Sequence, residues 1–297
     1  MTKVKPDKTR ITLALVTVQL LFGINYVASK LIVKILPPLL WASVRVLVSG
    51  VVLFAITSST GRKSPPWKRE YFLPLTLFAF LGIIVSQGSF LLGLHYTTAT
   101  NSAVLTTLIP IFTLLFITLF GKERLTGRRG LGFAFALAGV LVMKRIENFS
   151  FSLSGSGNTL LGDGLTVLNC LSYGLFLTLS KKFIEKHDPL WTTTWLFLVG
   201  GVGLTILATP DWLHFQAPAL NFQLVACMIF TIFGSTLLAY FLNNWALGRT
   251  KTSSVALYIY LQPVIASLLA WAFLDEVVSL RTLVSIALIF IGMLLAR

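Results

Sequence analysis

The chain has 297 residues, of which 56% are hydrophobic and only 11% charged. A soluble domain carries roughly 25% charged residues, so a water-soluble globule of this length is excluded and the solvent for most of the chain is lipid. The formal net charge of +14 raises nucleic-acid binding. However, the basic residues fall in short clusters between apolar runs, where they act as topology signals, and no nucleic-acid-binding signature accompanies them.

In chain order, the lysines Lys3, Lys5 and Lys8 precede the first apolar run. The run resembles a signal peptide but lacks a small-residue cleavage site and is long enough to span, so it reads as a retained first helix. A bilayer core of ~30 Å needs about 20 apolar helical residues. On that rule the expected spans are 11–33, 38–58, 72–94, 98–120 and 129–146, then 160–180, 190–209, 222–247, 253–274 and 280–296. The expected fold is therefore an all-α integral membrane protein with ten transmembrane helices. The connector 144–159, with its Ser152–Asn158 serine and glycine stretch, reads as a linker between halves at 12–143 and 160–296.

Orientation follows from lysine and arginine placement. With the N-terminus inside, the inner segments hold eighteen of these residues and the outer segments five, with Arg45 within a span. That bias puts both termini in the cytoplasm of a cell-membrane protein.

The two halves repeat. A gap-free shift of 153 residues carries Thr97 onto Thr250, Pro110 onto Pro263, Glu123 onto Glu276, Arg128 onto Arg281 and Gly139 onto Gly292. A shift of 151 carries Gly23 onto Gly174, Ser29 onto Ser180, Lys30 onto Lys181, Pro38 onto Pro189 and Gly50 onto Gly201. Five spans is an odd number, so the second copy inserts upside down. Inverted repeats of this kind surround a central cavity in many secondary transporters.

Phe22-Gly23-Ile24-Asn25-Tyr26, then Lys30, Pro38, Arg45, Pro110 and Gly121–Leu125, form an ordered set in the first half. Gly162-Asp163, Pro263, Leu274-Asp275-Glu276 and Gly292 form one in the second. On these motifs the chain resembles the EamA-type members of the drug/metabolite transporter superfamily over nearly its whole length. Phe22 replaces the family's usual tryptophan. The resemblance implies a ten-helix fold, a cavity between halves, and movement of small metabolites, with export the expected direction.

Candidate solute-binding residues are polar or aromatic groups at membrane depth. Arg45 lies roughly 10 Å inside helix two, where a charge needs a cavity or a partner. It would meet a solute carboxylate or phosphate, or else bind backbone carbonyls. Val18, Phe22, Asn25 and Ser29 share one helical face, and the 151 shift maps them onto Asn169, Tyr173, Phe176 and Ser180. Such a polar and aromatic mix suits amphipathic solutes, or else serves interhelical hydrogen bonding. Gln87, Asn101, Tyr258, Tyr260 and Gln262 extend the set. Asn243 and Asn244 read as caps or vestibule residues. Trp195 is a cavity candidate, and Trp41, Trp191 and Trp271 read as an aromatic belt.

Pro110 and Pro263 each remove a helical hydrogen bond and are expected hinges or kinks. Asp163 reads as a helix-start acid, with proton coupling the alternative. Gly130, Ala134 and Ala138 form a small-residue stripe for helix packing or a dimer contact.

Cys170 and Cys227 are expected packed thiols, and the scattered His95, His187 and His214 lack ligand spacing. No catalytic group, metal or cofactor is expected. The expected partners are a small-molecule solute and the bilayer, with the chain a monomer or a homodimer. Few intramembrane charges favour zwitterionic or neutral solutes such as amino acids. The alternatives are a membrane-embedded enzyme on a lipid-linked substrate, for which Asp163, Asp211, Asp275 and Glu276 show no pairing in sequence, and a non-transporting scaffold.

Overall fold

The structure is a computed structural model and describes residues 8–60, 69–97, 99–123, 126–143, 157–265 and 280–296. Among the described residues every regular element is helical. Six helices of the described residues are long and apolar enough to cross a membrane: Lys8–Val33, Pro38–Ser59, Glu70–Tyr96, Leu160–Lys186, Pro189–Leu207 and Phe222–Leu247. Shorter apolar helices cover Leu108–Leu119, Thr252–Ile265 and Leu283–Leu295.

The helices are α1 (Lys8–Val33), α2 (Pro38–Ser59), α3 (Arg69–Ala79), α4 (Ser86–Tyr96), α5 (Ala99–Leu105), α6 (Leu108–Leu119) and α7 (Gly127–Met143). They continue with α8 (Gly157–Lys186), α9 (Pro189–Leu207), α10 (Thr209–Leu213), α11 (Phe222–Ile229), α12 (Ala239–Leu247), α13 (Thr252–Tyr258) and α14 (Leu280–Ala296).

Local chemistry sets several boundaries. Prolines open α2 and α9 at Pro38 and Pro189, where the missing amide costs nothing. Asp188 caps α9 by accepting from the Leu190 and Trp191 amides at 3.0 and 3.1 Å, and Asn221 caps α11 through Leu224 N at 2.7 Å. The eighth helix runs to Lys186, beyond the expected stop at 180, because Lys181 and Lys182 are carried on its last turns.

Two features interrupt the regular helices. A π-helical turn at Phe80–Val85 joins α3 to α4, and another at Phe230–Leu238 joins α11 to α12. They occupy matching places in the two halves, about 151 residues apart. Backbone turns at residues 106–107 and 259–260 break the α5–α6 helix and the α13 helix just ahead of Pro110 and Pro263. In both, the amide three residues on bonds back, Ile109 N to Thr106 O and Gln262 N to Ile259 O, each at 3.0 Å. A proline nitrogen cannot supply the next bond, so the helix is weakest there.

The main packing partners are α2 with α9, α7 with α14, α4 and α6 with α8, and α1 with α12. Three pairs of close approaches at glycines are reciprocal under the sequence shifts. A methyl at Gly23 would meet Ile265 at 3.0 Å, and one at Gly174 would meet Phe112 at 3.2 Å. Gly50 faces Leu198 and Gly201 faces Leu47. Gly139 abuts Ser285 O and Ile289 N, and Gly292 abuts Gly132 O and Ala136 N. In each pair, adding 151 or 153 to the first-half residue and subtracting it from the second-half residue yields the other contact.

The small-residue stripe of α7 does not serve packing within the chain. Ala134 and Ala138 are exposed and Gly130 has open space around it, whereas Gly132, Ala136 and Gly139 form the contact with α14. Two neighbouring faces of one helix both carry small residues, and sequence spacing does not choose between them. The aromatic-belt assignment also fails for Trp41 and Trp191, which are buried within the large core cluster. Trp271, Asp275 and Glu276 lie outside the described residues, as does residues 144–156 of the connector. Large apolar side chains, Phe222 at 90% and Ile206 at 68% exposure among them, cover the outer surface, as lipid solvation allows.

Candidate solute-binding cavity

Between the long helices lies a cavity lined by polar and aromatic side chains, with about 600 Å³ of atom-free space, its open mouth included. Helix α1 contributes Gln19, Phe22, Asn25 and Tyr26, α2 contributes Arg45, and α4 contributes Ser86, Gln87 and Phe90. From the second half come Asn169 and Tyr173 of α8, Ser235 of the second π turn, and Tyr240 and Asn243 of α12. The two helix breaks supply Thr106 and Ile259, with Ile109 and Gln262 just beyond. Unwound backbone at membrane depth is tolerated where it lines a cavity, and both breaks do so.

The polar groups form a connected network. The Arg45 guanidinium, 2% exposed, donates through Nη2 to Gln87 Oε1, and Gln87 Nε2 donates to the Tyr240 hydroxyl. Arg45 Nε has no hydrogen-bond partner. The Tyr26 hydroxyl lies 2.5 Å from Thr106 Oγ1 and 3.0 Å from Gln262 Oε1. Gln262 Nε2 donates to Gln19 Oε1 at 2.7 Å. Asn25 Oδ1 accepts from Ser29 at 2.9 Å and Ser235 at 2.7 Å. Ser86 donates to Asn169 Oδ1 at 2.8 Å, and Asn243 Nδ2 donates to the Tyr173 hydroxyl at 3.1 Å. Several of these bonds join one half of the chain to the other, so the network links the halves through the cavity wall.

Aromatic edges complete the wall. Tyr240 meets Phe22 edge-on at 5.7 Å and Tyr173 at 6.2 Å, and Tyr26 meets Phe90 at 5.6 Å. Such pairs contribute ~0.5–1.5 kcal/mol beyond their burial and hold the rings as a fixed apolar surface.

Of the residues expected from sequence, Asn25, Arg45, Gln87, Asn169, Tyr173 and Gln262 come together here. Trp195 instead packs edge-on against Phe54 at 6.3 Å. Tyr258 reaches Thr12 at 3.3 Å on the far part of α1, and Tyr260 is buried against Phe133 in the separate α7–α14 cluster. The turn at 259–260 rotates those tyrosines away from the face that Gln262 keeps. Asn101 belongs to α5, and its side chain lies outside the described residues. Asp163 is buried, accepts from Thr97 Oγ1 at 2.8 Å, and is not among the cavity residues.

The sequence does not single out Gln19, Tyr26, Ser86, Thr106, Ser235 and Tyr240 for the cavity, and it reads Asn243 as a cap or vestibule residue. Two signals point to some of them. Gln19 and Tyr26 flank Phe22 at helical spacing of three and four, and the 153 shift carries Gln87 onto Tyr240, its hydrogen-bond partner.

An all-helical, membrane-spanning chain with a polar cavity buried among its long helices is of the class that moves solutes. The sequence model of the EamA-like transporter family matches residues 9–145 and 160–297, and the chain belongs to that family. Among its relatives, an uncharacterized transporter of Archaeoglobus fulgidus is 27% identical over 91% of this chain and 90% of its own length. The uncharacterized transporter YoaV of Bacillus subtilis is 22% identical over 95% of each chain. The chloroplastic WAT1-related protein At3g02690 of Arabidopsis thaliana is 26% identical over 93% of this chain and 66% of its own. A solved crystal structure shares the fold with a TM-score of 0.78 at 17% identity, covering 98% of this chain and 97% of the other. The protein is thus a multi-span membrane protein of a transporter family, placed in a cell membrane.

Proposed function

We propose that this chain is a secondary transporter or facilitator that exports small organic metabolites, amino acids or related amphipathic solutes, by alternating access. In this reading ten spans form two inverted five-helix halves, 12–143 and 160–296, with both termini in the cytoplasm. The observation that carries it is the cavity, whose wall is drawn from both halves and tied together by bonds such as Gln87 to Tyr240 and Ser86 to Asn169. The reciprocal glycine contacts support a pseudo-two-fold relation between the halves, and the odd number of spans expected in each half makes that relation an inverted one. The matched helix breaks beside Pro110 and Pro263, both at the cavity, favour hinges that let the halves exchange conformations.

The mixture of amides, phenols and aromatic edges suits an amphipathic solute better than a bare ion. No catalytic role is assigned to any residue. Cells overexpressing the protein would be profiled for metabolites inside and outside and challenged with toxic amino-acid analogues. An exporter lowers the internal pool of its solute and raises resistance. Unchanged pools and sensitivity, with folded protein in the membrane, would contradict the proposal.

A further inference from the structure

Resting on the transport reading, we infer that the cavity recognises a monocarboxylate: Arg45 and the amide donors around it bind the carboxylate of an organic acid whose remaining surface is uncharged.

The first observation is charge. Arg45 is buried, lines the cavity and forms an ion pair with no Asp or Glu among the described residues, none of which supplies an acid to the cavity wall. A buried charge is stable only when paired or well hydrogen-bonded. Gln87 satisfies one Nη, while Nε is left without a partner. A guanidinium presents its donors as a rigid fork that matches a carboxylate.

The second observation is the direction of the surrounding hydrogen bonds. Arg45 donates and cannot accept, so it fixes Gln87 with its oxygen toward the guanidinium and its amino group toward Tyr240. The other amides spend their oxygens inside the wall. Gln19 Oε1 accepts from Gln262, Asn25 Oδ1 from two serines, and Asn169 Oδ1 from Ser86. The amino groups of Gln19, Asn25 and Asn169 donate to no described residue, and all three residues border the cavity. Only Asn243, among the lining amides, has its oxygen unused while its amino group is engaged with Tyr173. Among the described residues the space is lined by one cation and a surplus of donors.

That surplus sets specificity. A carboxylate accepts from several donors and neutralises Arg45. An ammonium finds no carboxylate among the described lining residues and loses its hydration without replacement, so of the solutes proposed above the cavity selects amphipathic acids over amino acids. A neutral amide or ester leaves the guanidinium unpaired. Phe22, Phe90 and Tyr26 then offer aromatic edges to the uncharged body of the acid.

The test is binding to purified protein in nanodiscs, by calorimetry, of 3-phenylpropionate, 3-phenylpropionamide, phenylalanine and a panel of aliphatic and aromatic monocarboxylates. At least one monocarboxylate is expected to bind, and 3-phenylpropionate at least tenfold more tightly than its amide and than phenylalanine. Arg45→Gln should abolish that preference, Arg45→Lys should weaken it, and Asn25→Leu should reduce acid affinity several-fold while sparing the amide. The ligand comparison on the unmodified protein stands even where a variant misfolds. Equal binding of acid and amide, tighter binding of phenylalanine, or no monocarboxylate bound would overturn the inference. Solute flux without carboxylate preference would sink this inference and leave transport standing. Carboxylate binding without flux would do the reverse.

Discussion

Arg45 concentrates the chemistry of the molecule in one side chain. It is surrounded by neutral groups, so its stability depends on hydrogen bonds, and Gln87 is the one that bridges it to Tyr240. Replacing Gln87 by Leu removes both bonds and leaves a buried guanidinium less satisfied. Such losses cost ~1–3 kcal/mol, more when the group is charged. The Gln87→Leu protein should melt at lower temperature in detergent than the parent. Tyr240→Phe, which removes only the outer acceptor, should melt between the two. An unchanged melting temperature for Gln87→Leu would mean that Arg45 does not depend on this bond. The polar identity of the site was legible in the sequence because charged and amide residues at membrane depth are costly and therefore conspicuous. Which of two adjacent helical stripes faces the cavity was not: spacing groups Phe22 and Asn25 with Val18 and Ser29, whereas in the structure Phe22 and Asn25 line the cavity with Gln19 and Tyr26.

At the scale of elements, helix packing relies on backbone approach at paired glycines. A side chain at Gly139 or Gly292 would place its first carbon within 2.8 or 2.5 Å of a facing carbonyl oxygen. Overpacking of this kind costs ~1–3 kcal/mol. Gly139→Leu and Gly292→Leu should each lower the melting temperature and the folded yield, whereas Gly130→Leu, in open space, should not.

The ends of the helices differ between the halves in a useful way. Lys30 Nζ donates to the carbonyl oxygens of Leu94 and Thr97, both at 2.6 Å, and so caps the C-terminal end of α4. Its counterpart Lys181 instead pairs with Glu185 at 3.6 Å. The Lys30 contact is a latch between α1 and α4 on the face opposite the N-terminus. Lys30→Met should raise the labelling rate of a cysteine placed at Thr106, probed from that face with an impermeant maleimide, by roughly two- to tenfold, the equivalent of one or two net hydrogen bonds. An unchanged rate would show that the latch carries no conformational weight. Hydropathy made the six long membrane-crossing helices legible and the prolines marked the breaks. The π turns were not legible, since Phe-Leu-Gly-Ile-Ile-Val at 80–85 is as consistent with an ordinary helix.

For the whole molecule, the charge tally predicts that both termini lie in the cytoplasm. Green fluorescent protein fused to either end should fluoresce, and alkaline phosphatase fused there should be inactive; an active C-terminal phosphatase would break the even count of spans. The repeat was legible because two glycines or prolines at one fixed offset are hard to place by chance along so apolar a chain. The cavity it encloses was legible only in outline, since the internal bonds that consume its acceptors come from residues scattered over both halves. Alternating access by these halves is the central claim, and counterflow in proteoliposomes tests it most directly. Vesicles loaded with an unlabelled metabolite panel, then diluted into trace labelled solutes, should show saturable, trans-stimulated uptake of at least one small organic solute. That uptake should fall at least tenfold in Arg45→Gln protein that is folded. Uptake no greater than in protein-free vesicles for every solute, with folded protein in the bilayer, would contradict the account.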